Sequence, residues 1–352
     1  MKQESKDFLL RLLASAGPSG FEQPTARVWR AEAEQFADEV WVDVSGNSYA
    51  RLRGAGPVVV VEGHIDEIGL QVTHIDEQGY LWFQQIGGLD PQIMTGQRVR
   101  VIGRSGPVLG VIGRRPVHLL SAEERGKASQ TKDLWIDLAV TSADEARELV
   151  AVGDPVVIEQ PPVELRHNLL TARGIDNRVG AWAALETLRA LAANRTQADV
   201  YAVATTQEEI GFLGAHTSAF AVDPAVAVAT DVTHASDYPD TNKREMGDVK
   251  LGGGPVLARG SAVNPLVFER LASAAQAAGI TYQLEAAPGR TYTDADAYAP
   301  ARGGIPTGLV SFPNRYMHSP NELISLDDLD ASVRLLEHFV RDLGQSPDFT
   351  RK

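Results

Sequence analysis

A chain of 352 residues, 43% of them apolar, is long enough for two domains or for one large domain carrying an insertion. Its 46 acidic and 33 basic residues leave a net charge of -13, which argues against a nucleic-acid or anionic-membrane surface and suits a protein that holds divalent cations. With no cysteine there is no disulfide framework, zinc finger or iron–sulfur cluster, so any metal must be held by imidazole and carboxylate.

The first residues are highly polar, the apolar run that follows is too short and interrupted for a signal peptide, and no run approaches the roughly 20 residues of a membrane span. A cytoplasmic protein is expected. Phe8, Leu9, Leu12 and Leu13 recur at helical spacing and predict a first helix that Gly17-Pro18 stops. Ser19 and Glu22 predict a capping box, with Pro24 early in a second helix that runs through Trp29 toward Phe36. Segments 40–44 and 49–52 flank Ser45-Gly46-Asn47 as a hairpin, and an apolar strand at 58–61 leads into Glu62-Gly63-His64-Ile65-Asp66.

From about residue 70 to 163 the texture changes to short strands at 70–74, 80–85, 98–102, 108–112, 134–140 and 156–159, separated by Gly and Pro. Frequent turns without long helices describe a small barrel or sandwich, interrupted by one helix near 142–149. The segment reads as a domain inserted into another formed by residues 1–69 and 164–352. In that second part a helix begins near Arg178, and strands are predicted at 199–204, 225–229, near Tyr282 and at 307–312. Asn264-Pro265 opens a helix that Gly279 closes, and Leu329, Val333, Leu336, Val340 and Leu343 mark a final helix with one apolar face. Alternating helix and strand specifies a layered α/β domain, and the end, 345–352, is expected to fray.

Five places put metal-competent residues at strand ends or adjoining loops. His64 and Asp66 are two apart, so in extended chain they face the same way and the carboxylate can orient the imidazole. Asp176 precedes a helix, Glu208 and Glu209 follow a strand, Asp231 follows another, and His318 lies beyond the strand ending near Phe312. Singly, each has a plain explanation: a solvated acidic turn for the Glu pair, a helix cap for Asp176, a turn carboxylate for Asp231, a hydrogen-bonded loop histidine for His64 or His318. Their common place outside the carboxyl ends of strands, where sites form in open α/β sheets, favours a shared function. Two histidines with three carboxylates can hold two divalent ions about 3.5–4 Å apart if one carboxylate bridges them.

The segments Gly63-His64-Ile65-Asp66-Glu67, Gly174-Ile175-Asp176-Asn177-Arg178, Gln207-Glu208-Glu209-Ile210-Gly211, Asp231-Val232-Thr233-His234 and Arg315-Tyr316-Met317-His318-Ser319-Pro320 resemble the motif set of the M42 metalloaminopeptidases, the tetrahedral or TET aminopeptidases. The resemblance covers nearly the whole chain. It implies a three-layer α/β/α metallopeptidase domain with an inserted all-β, barrel-like dimerisation domain, acting on the N-terminal residues of peptides. It also implies two divalent metal ions per subunit, zinc first, with cobalt or manganese as alternatives. Asp176 would bridge them, Glu209 and His318 would complete one ion, and His64 and Asp231 the other. Glu208 would be the general base toward the bridging water, and Asp66 would orient His64. A homo-oligomer of dimers assembling into a tetrahedral dodecamer is implied as well, with no nucleic-acid or membrane partner. The family often has Gly-Thr-Asp-Ala where this chain has Tyr292-Thr293-Asp294-Ala295, which bears on the shape of the substrate pocket.

His74, His118, His167, His216 and His338 lie outside these motifs and are expected to be structural, with His234 closer to the chemistry. Arg178 and Arg315 can either neutralise the acidic site, hold a substrate carboxylate, or form structural pairs. Two rival functions remain: a glycosidase working through two carboxylates, which leaves the histidines without a purpose, and a non-catalytic peptide-binding scaffold, which would be expected to have lost ligands.

Overall fold

The computed structural model describes residues 1–351. Helices α1 (Gln3–Ala14) and α2 (Gln23–Ala33) precede the hairpin of β1 (Glu39–Val42) and β2 (Ser48–Leu52), and β3 (Val58–His64) enters the middle of an eight-stranded sheet. The chain then leaves that sheet for β4 (Gly69–Ile75), β5 (Leu81–Ile86), α3 (Pro91–Met94), β6 (Arg98–Gly103), β7 (Gly106–Gly113), α4 (Ala122–Arg125), β8 (Trp135–Asp137), α5 (Ala143–Leu149) and β9 (Pro155–Ile158). These six strands close into a barrel in the order β4-β5-β8-β7-β6-β9, around a separate core that includes Leu70, Phe83, Val99, Ile112, Ile136 and Val156. The inward positions of these strands are apolar, and in β7 the outward Leu109 and Val111 are apolar as well.

The chain returns through β10 (Val163–Glu164) and β11 (Leu169–Ala172) and continues as α6 (Ile175–Ala193), β12 (Asp199–Thr205), α7 (Leu213–Val222), β13 (Val226–His234), α8 (Lys243–Met246), β14 (Val256–Gly260), α9 (Pro265–Ala277), β15 (Gln283–Ala287), α10 (Ala295–Tyr298), β16 (Thr307–Asn314), β17 (Glu322–Ser325) and α11 (Leu326–Arg341). The large sheet has the order β1-β2-β12-β3-β13-β16-β14-β15, and its central strands β12, β3, β13 and β16 are parallel neighbours. In β3, Val59 and Val61 pack on one side with α1, α6 and α11, while Val60 packs on the other with Ala215 and Ala219 of α7 and Tyr298 of α10. With both faces covered the strand must be apolar at every position, which is why 58–61 reads as a continuous apolar run. This is the three-layer α/β/α architecture with a small barrel. Among the described residues no helix is long and apolar enough to cross a membrane.

Helix α6 is buried nearly all round, and it comes close to β3 where Gly63 meets Gly180. A Cβ on Gly63 would lie 2.4 Å from the Gly180 carbonyl carbon, so this approach admits only glycine.

Three local expectations fail. Ser19 and Glu22 do not form a capping box: Ser19 Oγ donates to Asp66 Oδ2 at 2.6 Å, and Glu22 Oε1 accepts from the Gly20 and Gln207 amides. Tertiary partners outcompete the local cap. Strand β13 does not end before Asp231 but runs on to His234, because register with β16 continues through Asn314. The C-terminal segment is tied down rather than frayed as far as residue 351, Lys352 lying outside the described residues: Phe349 is buried in the main core, its carbonyl accepts from Asn264 Nδ2 at 2.9 Å, and Arg351 donates to the Val263 carbonyl. Replacing Phe349 with Ala should lower unfolding stability by about 3 kcal/mol, read as a lower denaturant midpoint at unchanged slope. A shift under about 0.5 kcal/mol would show that the tail does not contribute to the core.

Candidate metal centre

The parallel strands β12, β3, β13 and β16 run the same way, so their carboxyl ends and the loops after them share one edge of the sheet. His64 is the last residue of β3, level with Thr205 at the end of β12. Glu208 and Glu209 lie in the loop after β12, entered through Gln207 at φ 57. Asp231 sits within β13, level with Ser311 of β16. Asp176 stands at the mouth of α6, whose regular turns begin only after Asn177, and His318 occupies the turn beyond β16 at φ 59. The Asp176-Asn177 peptide is cis.

All seven predicted site residues converge. Asp176 turns one oxygen to each histidine: Oδ1 lies 3.2 Å from His64 Nε2 and Oδ2 lies 3.3 Å from His318 Nε2. Asp231 Oδ1 is 3.8 Å from His64 Nε2, and Glu209 Oε2 is 3.4 Å from His318 Nε2. Glu208 places Oε2 3.7 Å from His64 Nε2. On the far side of the His64 ring, Asp66 Oδ1 is 3.2 Å from Nδ1, close enough for its charge to act but not aligned as a hydrogen bond. Asp66 also accepts the Glu208 and Glu209 amides at 3.2 Å, so one carboxylate fixes both the imidazole and the loop carrying the Glu pair.

This donor set fits metal. Potential ligand atoms of His64, Asp176 and Asp231 lie within 4.8 Å of one another, as do those of Asp176, Glu209 and His318, and the two groups share Asp176. His64, Glu208 and Glu209 make a third, overlapping group. Glu209 Oε1 is buried without a hydrogen-bond partner, an oxygen left free for a cation. Nitrogen and carboxylate donors without thiolate suit zinc, cobalt and manganese alike.

Electrostatics carry the same mark. Burial, only partly offset by His64, pushes Glu208 up to about 11, with Asp231, Asp294 and Glu209 adding repulsion. Burial likewise raises Asp231 and Glu209. Burial opposes a charged His64, yet Glu208, Asp176 and Asp66 raise its pKa, and hydrogen bonds to Asp176 and Glu209 push His318 up to about 11. Asp176 is held below the usual carboxylate range despite its burial, because both histidines face it. Acids that resist ionisation for want of positive charge are what divalent cations would relieve.

Several residues of the site carried no expectation. Glu322 is buried and accepts the Asp176 amide at 3.1 Å and the His318 amide at 3.0 Å, fixing the backbone under two candidate ligands. Glu62 and Asp294 lie behind His64, joined through the Thr205 hydroxyl. A carboxylate directly after the apolar run 58–61 and two residues before His64 was the available signal for Glu62; Glu322 had none. Gly87 and Gly88, in the loop after β5, bring the barrel against the site: a Cβ on Gly87 would lie 3.3 Å from Glu209 Oε2, and one on Gly88 3.3 Å from His318 Nδ1.

Arg178 and Arg315 are structural. Arg178 is fully buried, donating to Glu67 Oε1 at 2.7 Å and to the Ser15 carbonyl at 2.7 Å, and Arg315 grips both oxygens of Asp237 at 2.7 Å. Neither reaches the cluster. None of His74, His118, His167, His216 or His338 belongs to it, whereas His234 lines the adjoining cleft. That cleft, about 510 Å³, opens from the cluster across the face of β13, β16, β14 and β15. Tyr292 stands at its rim, 77% exposed, in the left-handed region at φ 57 with its amide held by Asp296 Oδ2 at 3.0 Å.

The family model for M42 glutamyl aminopeptidase matches residues 46–335. A lysyl aminopeptidase from Pyrococcus furiosus is 34% identical over 347 residues, covering 98% of this chain and 99% of that one. Among solved structures, a TET aminopeptidase from a marine sediment archaeon of the Thaumarchaeota superposes with a TM-score of 0.92 at 34% identity, covering 97% of this chain and 96% of the other. The TET1 peptidase of Pyrococcus horikoshii, which can assemble into a tetrahedron or a large octahedral shell, superposes with a TM-score of 0.86 at 31% identity, covering 96% of this chain and all of its own.

If Glu322 holds the backbone of Asp176 and His318 in place, Glu322→Ala should weaken zinc or cobalt binding by about 10- to 100-fold in a calorimetric titration. Unchanged affinity would show that these loops keep their shape without it.

Proposed function

From the premise that the chain belongs to the M42 family and is an aminopeptidase, we propose that it removes N-terminal residues from peptides at a centre of two divalent metal ions. The observation that carries the reading is Asp176, each of whose oxygens faces a different histidine, with Asp231 beside His64 and Glu209 beside His318. On this reading Asp176 is shared, His64 and Asp231 serve one ion, and His318 and Glu209 the other. When bound, such ions polarise a scissile carbonyl and bring the pKa of a water toward neutrality.

The chain's own residues supply the rest. Glu208 is buried beside the cluster and is the base that takes the proton of the attacking water and then delivers it to the leaving amine nitrogen. Asp66 holds His64 with Nδ1 turned away from the cluster and Nε2 toward it. A peptide's free α-ammonium is the complement of a cleft end crowded with carboxylates, which favours terminal over internal cleavage. A glycosidase would use two carboxylates and leave both histidines idle.

Zinc is the first choice, with cobalt or manganese able to replace it. The TET1 likeness supports self-association, and we extend it to dimers joined through the barrel and built into a tetrahedral dodecamer. The barrel offers Leu109, Val111, Val117 and Leu119, each at least 46% exposed, as an apolar surface for that contact. A chain without cysteine and with a strong negative charge suits the cytoplasm and has no use for nucleic acid or membrane as partner.

Chelation should abolish hydrolysis of aminoacyl anilides, and zinc, cobalt or manganese should restore it; activity that persists after exhaustive chelation rules out the metal reading. Glu208→Gln should lower kcat by about 10²- to 10⁴-fold while zinc still binds. Near-wild-type turnover by that variant would remove Glu208 from the role of base.

A further inference from the structure

Left-handed backbone recurs in the loops of the site, at Gln207, Phe212, Tyr292, Tyr316 and His318. A residue with a Cβ is strained there and persists only where its surroundings impose it. For four of the five the reason is in view: Gln207 carries the turn into Glu208, His318 is itself a candidate ligand, Phe212 packs against the cluster of Ala215 and Ala219, and the Tyr316 ring leans on Tyr238 at 5.6 Å. Tyr292 has no such employment. Its ring is 77% exposed at the rim of the cleft, and among the described residues no ring stacks on it and no group meets its hydroxyl.

What holds Tyr292 lies beneath it. Asp296 accepts the Thr291 amide and hydroxyl and the Tyr292 amide at 2.9 to 3.1 Å, and the Thr291 and Thr293 hydroxyls bond each other at 2.9 Å. One carboxylate thus pins the turn. Glycine would occupy φ 57 without strain, so what tyrosine adds at this position is its ring.

Position decides which part of a peptide the ring meets. Tyr292 leads through the buried Thr293 to Asp294, which accepts from the hydroxyl of Thr205, the last residue of β12 and three before Glu208. Phe212, whose amide donates to the Glu208 carbonyl at 3.0 Å, lines the same cleft. This wall therefore belongs to the Glu208 end of the cluster, where the leaving nitrogen takes its proton. A second hollow of about 460 Å³ adjoins it, lined by Phe212 and Arg290, which the cleft shares, and by Asp296. A peptide held by its N-terminus at the cluster runs outward past Tyr292, and the first side chain beyond the scissile bond is the one that reaches the ring.

We infer that Tyr292 is a specificity-determining residue for the second residue of the peptide, its ring a platform for an apolar or aromatic side chain there; this deepens the aminopeptidase reading and rests on it. Ring and apolar side chain leave water together, and a ring already set in place by its turn loses little freedom on contact. Arg290, exposed on the wall that both hollows share, is the rival group, since its guanidinium would favour an acidic second residue. Among the described residues nothing fixes that guanidinium, whereas Asp296 fixes the turn under Tyr292.

The test varies one position at a time on the metal-loaded enzyme: leucyl dipeptide amides with phenylalanine, leucine, alanine or aspartate second, and dipeptide amides with alanine second and the first residue varied. Wild-type kcat/KM should be higher for leucyl-phenylalaninamide than for leucyl-alaninamide. That ratio should fall roughly 3- to 10-fold in Tyr292→Gly, the loss of one aromatic contact, and survive in Tyr292→Phe, while the ranking of first residues stays as it was. The denaturant midpoint of Tyr292→Gly should be at or above that of the wild type, because the position suits glycine. An unchanged ratio, a ranking that shifts at the first residue instead, or a clear drop in midpoint would overturn the inference and leave the aminopeptidase standing. So would a wild-type preference for aspartate second that Arg290→Gln removes. Should no dipeptide amide be cleaved, the aminopeptidase reading fails instead, and calorimetric binding judges Tyr292 by itself: equal affinities for leucyl-phenylalaninamide and leucyl-alaninamide would overturn the platform, and tighter binding of the former, lost in Tyr292→Gly, would uphold it.

Discussion

Gathering carboxylates out of water is the constraint on which this molecule turns. Asp66, Asp176, Glu208, Asp231 and Asp294 are all buried around His64, and a low-dielectric cluster of one sign is unstable unless charge of the other sign is brought to it. The chain meets part of that demand itself. Asp66 is met by Ser19 and two amides, Glu322 by the amides of Asp176 and His318, and Asp176 by two imidazoles. What it leaves unmet, at Glu208, Glu209 and Asp231, is concentrated where the donor atoms converge.

Such a cluster needs a frame that does not yield, and the frame is the parallel centre of the sheet together with α6. The Gly63–Gly180 approach seats the helix against the strand that carries His64, and the same helix carries Asp176 at its start. Packing and site geometry are thereby coupled: what sets the depth of α6 also sets the distance between the Asp176 carboxylate and the His64 imidazole. Arg178, two residues on, locks this arrangement by bonding the Leu12 and Ser15 carbonyls at the end of α1 and Glu67 in the interior.

How much of this was legible beforehand depends on the range of the interaction. His64 and Asp66 acting together follows from the two-residue period of extended chain, and the barrel strands follow from turn spacing and alternation. Both are local facts. The pairing of Asp176 with His318 joins residues far apart in sequence, and nothing in either neighbourhood encodes it; only the likeness of five motifs taken together pointed there. Glu322 lies in an ordinary short strand and matters solely through two amides it happens to face. Asp231 reads as the end of its strand because aspartate disfavours strands, a preference that register with β16 overrides. Phe349 reads as tail because its neighbours are polar, yet one aromatic ring is enough to seat it in the core.

The two glycines after β5 give the barrel a stake in the chemistry. Gly87 and Gly88 lie against Glu209 and His318, on the side of the site that the sheet does not wall. The catalytic layer is therefore an incomplete vessel, closed by a loop from a body with its own core. His64 and Asp231 are thus carried by strands of the sheet, whereas Glu209 and His318 stand on loops that border the barrel.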